Sequence, residues 1–72
     1  MTKYFTILEW NNKLAMPIND KGQASRYEDP KRFKTRKDAQ RWIDRHAYAG
    51  MSFKYEIVEV EDNAGKRRYL FG

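Results

Sequence analysis

A single stretch of this chain has a helical period while most of its other apolar residues alternate, so any fold must set one helix against extended segments. Ala39, Trp42, Ile43 and His46 recur on one helical face. Thr35 is placed to cap the free amides at the helix start, with Asp38 three residues on as a short-armed capping box. Gly50 is placed to end the helix in a left-handed conformation. The expected helix spans about 36–48, with Arg36, Lys37, Gln40, Arg41, Asp44 and Arg45 on its solvent side.

The extended segments lie on either side of it. Lys3 to Trp10 is rich in aromatic and β-branched residues and reads as a strand over about 3–10. Phe5 and Ile7 fall on one face and Tyr4, Leu8 and Trp10 on the other, so both faces are partly apolar and the strand suits the inside of a sheet. Asn11-Asn12 tolerates the positive φ of a hairpin turn. A second strand follows over about 13–18, with Pro17 confining it to an edge or its own end. Residues 19–34 are loop-rich and longer than most connections, so either Ala24 to Tyr27 forms a short strand or the loop has a task of its own. Beyond the helix, strands are expected at about 53–61 and 67–71, joined by the turn residues Asn63-Ala64-Gly65. The fold class expected is α+β: one domain over 1–72, a small antiparallel sheet of three to five strands with one helix packed on one face, in ββαββ order.

Size limits what such a domain can do. With 72 residues it buries only about 60% of its unfolded surface, which leaves little room for a deep catalytic pocket. There is no cysteine, hence no disulfide, no thiolate nucleophile and no cysteine zinc cluster. The run after Met1-Thr2-Lys3 is broken by Glu9, too short for a signal peptide or a membrane span, so a cytoplasmic protein without membrane contact is expected. His46 stands alone on the apolar stripe and reads as a packed or boundary residue rather than a base or metal ligand. Glu56, Glu59, Glu61 and Asp62 read as cross-strand partners of Lys66, Arg67 and Arg68. No catalytic residue, metal site or cofactor is assigned, and the chain is expected not to be an enzyme.

Charge carries the functional expectation. The whole net charge of +5 lies in residues 21–48, which hold nine basic and four acidic groups. That asymmetry points to an anionic partner. Arg36 and Lys37 sit in the first helical turn, where the macrodipole disfavours cations by about 0.3–1 kcal/mol each. Residues placed against local preference in a small domain are better explained by a partner than by the fold. The expected contact comprises Arg36, Lys37, Arg41 and Arg45, extended by Lys31, Arg32 and Lys34, with Tyr27 and Tyr48 as exposed aromatic anchors and Lys66, Arg67 and Arg68 as a second basic patch. Phe33 is expected to pack under the helix start.

Two resemblances bear on the partner. Phe33, Thr35, Ala39, Trp42 and Ile43 form an F-x-T-x-x-x-A-x-x-W-I helix entry, followed by Y-E-I-V-E-V at Tyr55 to Val60. This order is similar to that of small phage-encoded accessory proteins, including podoviral RNA polymerase inhibitors, and anti-CRISPR proteins share the size and strategy. The resemblance implies a mixed αβ inhibitor that blocks a host nucleic-acid-handling complex, a polymerase, nuclease or CRISPR effector, by occupying an acidic or nucleic-acid-binding surface. It departs from the inhibitors in its acidic strand at Tyr55 to Asp62, which moves the basic contact to the helix or to Arg67 and Arg68. The second resemblance is to winged-helix excisionases, through Thr6 to Asn11, Arg41 to Ile43 and Arg68 to Phe71, and implies direct binding of DNA or RNA through the same basic face.

Overall fold

Aromatic and β-branched side chains fit the pleated surface of a sheet, and the segment richest in them forms its centre, strand β1 (Thr2–Asn11). A computed structural model describes residues 2–46 and 54–70. Strand β2 (Leu14–Pro17), helix α1 (Arg36–His46), β3 (Tyr55–Asn63) and β4 (Lys66–Leu70) follow. All neighbours in the sheet are antiparallel, in the order β2-β1-β3-β4. Asn12 at φ 60 turns the chain from β1 into β2. Ala64 and Gly65, at φ 54 and 86, turn β3 into β4, with the Gly65 amide donating to Asp62 Oδ1 at 3.0 Å. Tyr48, Gly50, Phe53 and Phe71, which figure in the expected helix end and strand limits, lie outside the described residues.

The expected α+β class, a small antiparallel sheet of three to five strands with one helix packed on one face, is corrected to a fold that is mostly sheet. Strands of 10, 4, 9 and 5 residues dominate one helix of 11, and the sheet curls into a half-barrel; the ββαββ description fits only loosely. The reason lies in the two apolar faces of β1. At 1.5 Å per residue α1 is about 16 Å long, enough to cover one end of one face. There Ala39 and Ile43 bury against Ile7 and Ile18, with Phe33, Trp42, Tyr55 and Ile57 packed around them. The opposite face carries Tyr4, Leu8, Val58 and Val60, with Ala15 and Tyr69 beside them. No helix among the described residues shields it, and the sheet bends to bury it. Pro17 of β2 and Gly65, Arg67 and Tyr69 of the β3–β4 hairpin line one pocket although β1 and β3 separate them in the sheet.

The long loop completes this closure. Asn19, 5% exposed, organises its first turn: Oδ1 accepts from the amides of Lys21 (2.9 Å) and Gln23 (3.0 Å), and Nδ2 donates to Glu28 Oε2. Gly22 takes φ 80 there and lies against Trp42 of the helix. Of the stretch Ala24 to Tyr27, only Ala24 makes a strand-like bridge, to Ile18. The chain then returns alongside β1, where Phe33 and Phe5 exchange backbone hydrogen bonds of 2.8 and 2.9 Å and Thr6 Oγ1 donates to the Lys31 carbonyl at 2.6 Å. Residues 31–33 thus occupy the edge of β1 that β2 leaves beyond Pro17. The task of the loop is to strap the half-barrel.

Candidate binding surface

Helix α1 begins as its sequence dictates, the Asp38 amide donating to Thr35 Oγ1 at 3.1 Å. From that start, Lys37, Arg41 and Arg45 follow at i, i+4 and i+8. Such residues form one ridge along a helix, here about 12 Å long at 1.5 Å per residue. All three are exposed on the side away from Ala39 and Ile43. Arg41 has a distant contact with Asp38, 3.9 Å between two exposed groups, and such pairs contribute about 0–1 kcal/mol. Asp44 accepts from Gln40 Nε2 at 3.0 Å. Lys37 and Arg45 have no ion pair among the described residues. Lys34, also exposed, stands just before the helix.

The other expected contacts disperse. Arg36 folds back on the sheet, its guanidinium 5.2 Å from the Phe5 ring centroid and Nη1 donating to the Ile57 carbonyl at 3.4 Å. Lys31 lies 5.8 Å from the Phe33 ring centroid. Arg32 points to the concave face, 4.5 Å from the Tyr4 ring centroid and 3.5 Å from Asp62, whose side chain is nearly buried. Tyr27 is 91% exposed, and Tyr48 lies outside the described residues. The second basic patch is divided by strand alternation. The register sets Arg68 opposite Glu61 and Arg67 opposite Asp62, so Lys66 and Arg68 share one face and Arg67 takes the other. Arg67 then reaches past Asp62 to Asp29 of the loop at 3.0 Å.

Phe33 packs into the helix-side cluster, under the helix start. His46, read as a packed or boundary residue, is exposed at the end of the helix. Its ring stacks on Trp42 with centroids 4.2 Å apart at 12°, and Nδ1 lies 2.9 Å from the Trp42 carbonyl. Phe33, Trp42 and His46 line a shallow cavity with Asp38, Arg41 and Arg45, so the ridge has aromatic rings at its foot. A broader open groove separates α1 from β3, between Arg36, Lys37 and Gln40 on one side and Tyr55 and Ile57 on the other.

Two perturbed groups mark the concave face. Burial raises the pKa of Tyr4; Arg32 and Arg67 oppose that rise, while Asp62 and Tyr69 add to it. The Tyr4 hydroxyl is buried and has no hydrogen-bond partner among the described residues. Burial lowers the pKa of Arg67, but Tyr69 and Asp29 overcompensate and hold the guanidinium more firmly charged than usual. The sequence marks Arg67 only as part of a basic patch and Tyr4 not as a site residue, since their partners come from four separate segments.

No group of three or more His, Cys, Asp or Glu residues among those described is arranged to hold a metal ion. No helix among them is long and apolar enough to cross a membrane. No protein-family model, curated protein or solved structure matches the chain.

Proposed function

We propose that this chain is a non-catalytic binding protein that docks the outer ridge of α1 on an acidic surface of a nucleic-acid-handling protein complex, in the manner of a phage inhibitor. The observation that carries the reading is the ridge itself. Lys37, Arg41 and Arg45 form two successive like-charge pairs at i,i+4, each unfavourable by about 0.2–0.5 kcal/mol. Of the two helix carboxylates, Asp38 reaches Arg41 only at 3.9 Å and Asp44 accepts from Gln40. A partner of opposite charge removes that repulsion, and complementary charge raises the rate and specificity of docking. Lys34 extends the contact, whereas Arg32, Arg36 and Arg67 turn to the sheet or the loop, away from the ridge, and are left out of it.

The test is affinity capture from a nuclease-treated bacterial lysate with the wild-type chain and with a Lys37→Glu, Arg41→Glu, Arg45→Glu variant. The expected result is a protein of a nucleic-acid-handling complex retained by the first and lost by the second, with both melting normally. Equal capture by both removes the ridge from the interface.

A second reading, direct binding of single-stranded nucleic acid, is favoured by the stacked Trp42 and His46 rings beside Arg41 and Arg45, since base stacking on aromatics combined with cations holds single strands. It predicts quenching of Trp42 fluorescence by an oligonucleotide, with affinity falling linearly in log-log form against salt. The first reading predicts little binding to free oligonucleotide.

A further inference from the structure

The closed side of the half-barrel offers a second, separate site. Pro17, Arg26, Glu28, Gly65, Arg67 and Tyr69 line a cavity of about 320 Å³ at its mouth, the lower end of the range for small-molecule pockets. Its charged groups are unequally committed. The Glu28 carboxylate accepts from Asn19. Arg26 has no ion pair among the described residues. Arg67 is bridged at 3.0 Å by Asp29, a side chain 84% exposed to solvent. A carboxylate that exposed holds its guanidinium weakly, and it occupies the position an incoming oxyanion takes on an arginine fork.

A second observation lies on the same face of the sheet. The Tyr4 hydroxyl belongs to a residue 5% exposed and has no partner among the described residues. Buried polar groups in folded proteins are satisfied in the great majority of cases, and one that is not calls for a bound water, ion or ligand. Tyr4 and Tyr69 stand on the same face, both paired in register with Val60. Arg67 and Tyr69, which line the mouth, are also among the groups that act on the Tyr4 hydroxyl electrostatically. The mouth therefore offers two arginines and one phenolic donor, Tyr69, beside the Glu28 carboxylate that Asn19 engages, with the Pro17 ring and the Tyr69 ring as apolar wall.

We infer that the mouth of the half-barrel binds a small phosphomonoester, whose phosphate displaces Asp29 from Arg67 and is held by Arg67, Arg26 and the hydroxyl of Tyr69. Asp29 is then an internal placeholder, and ligand entry releases one of the two ion pairs that strap the loop. The site is independent of the α1 ridge and of the partner proposed for it.

Phenyl phosphate and inorganic phosphate serve as probes, titrated against the full chain at constant ionic strength with sodium chloride as the reference, and followed by amide chemical shifts and thermal unfolding. Saturable binding is expected, with shifts at Gly65 to Tyr69 and a raised Tm, and phenyl phosphate binding more tightly because its ring meets Pro17 and Tyr69. Arg67→Ala should weaken it by more than about tenfold, as loss of a charge-assisted pair does. Asp29→Asn, which removes the competitor and leaves Arg67 in place, should tighten it about two- to fivefold. Arg41→Ala, on the ridge, should not change it. The inference fails if neither probe gives a saturable response beyond chloride, if phosphate binds as tightly as its phenyl ester, or if Asp29→Asn leaves affinity unchanged or lowers it. The Asp29 variant decides the matter even if Arg67→Ala does not fold.

Discussion

Gly22 and Gly65 have nearly the same backbone, φ 80 and 86, but different surroundings, and replacing each with alanine separates conformational strain from packing. A left-handed conformation costs an L-residue about 1–2 kcal/mol relative to glycine. At Gly65 a Cβ meets nothing within 4 Å, so Gly65→Ala should cost that amount and no more. At Gly22 the same Cβ lies 3.0 Å from Trp42 Cζ2, well inside the ~3.5–4.0 Å optimum for two carbons. Trp42 has little freedom to yield, being stacked on His46 at 4.2 Å and edge-on to Tyr55 at 5.7 Å. Overpacking of this kind adds about 1–3 kcal/mol, so Gly22→Ala should cost about 2–5 kcal/mol in all. In a domain of this size each kcal/mol lowers Tm by roughly 4–8 °C. Thermal unfolding by circular dichroism reads both variants, and repeating Gly22→Ala in a Trp42→Phe background removes Cζ2 and should bring its cost down to that of Gly65→Ala. Equal losses for the two glycine variants in the wild-type background would refute the argument that the 19–22 turn is locked on the helix.

Three further outcomes follow from the described geometry. Asn19→Ala leaves the Lys21 and Gln23 amides without their acceptor and should destabilise the chain by about 2–4 kcal/mol in urea unfolding, with Asn19→Asp intermediate because it keeps both bonds but meets Glu28. Because the folded pKa of Tyr4 is raised above the unfolded value near 10, its contribution is intact below about pH 10 and is lost as pH rises through the folded pKa; Tyr4→Phe should flatten the alkaline limb of a Tm-against-pH curve and be at least as stable as wild type at pH 7 without ligand. Lys37→Glu should stabilise by about 0.3–1 kcal/mol by complementing the helix dipole, whereas Arg36→Glu should fall below it by about 1 kcal/mol because it also gives up the Phe5 ring and the Ile57 carbonyl; equal melting temperatures would return Arg36 to the free surface.

Local signals read well in this chain. The alternation of Tyr4 to Trp10, the Asn12 and Ala64-Gly65 turns and the Thr35 cap each act within a few residues, where side-chain identity controls the backbone directly. The curl of the sheet did not read, because two apolar faces on β1 are equally compatible with a flat sheet covered on both sides. Nor did the role of the loop, for Arg32 finds Asp62 and Asp29 finds Arg67 across distances in sequence that no local pattern encodes. The basic middle of the chain was therefore legible as composition but not as a surface. Alternation along 31–33 sends Arg32 to the concave face, and the helical phase of Arg36 turns it inward, leaving Lys37, Arg41 and Arg45 as the outward set.

The position of β1 also governs the order of assembly. Thr2 pairs with Asp62 and Glu9 with Tyr55, so the central ladder joins the two ends of the described chain. During synthesis β1 leaves the ribosome with its apolar faces uncovered and has to wait for β2, the long loop and α1 before its main partner β3 emerges. Pairings so remote in sequence place folding in the slower, millisecond-to-second range of small domains. The β1–β2 hairpin, which needs only its own residues, can close early and give that strand provisional cover.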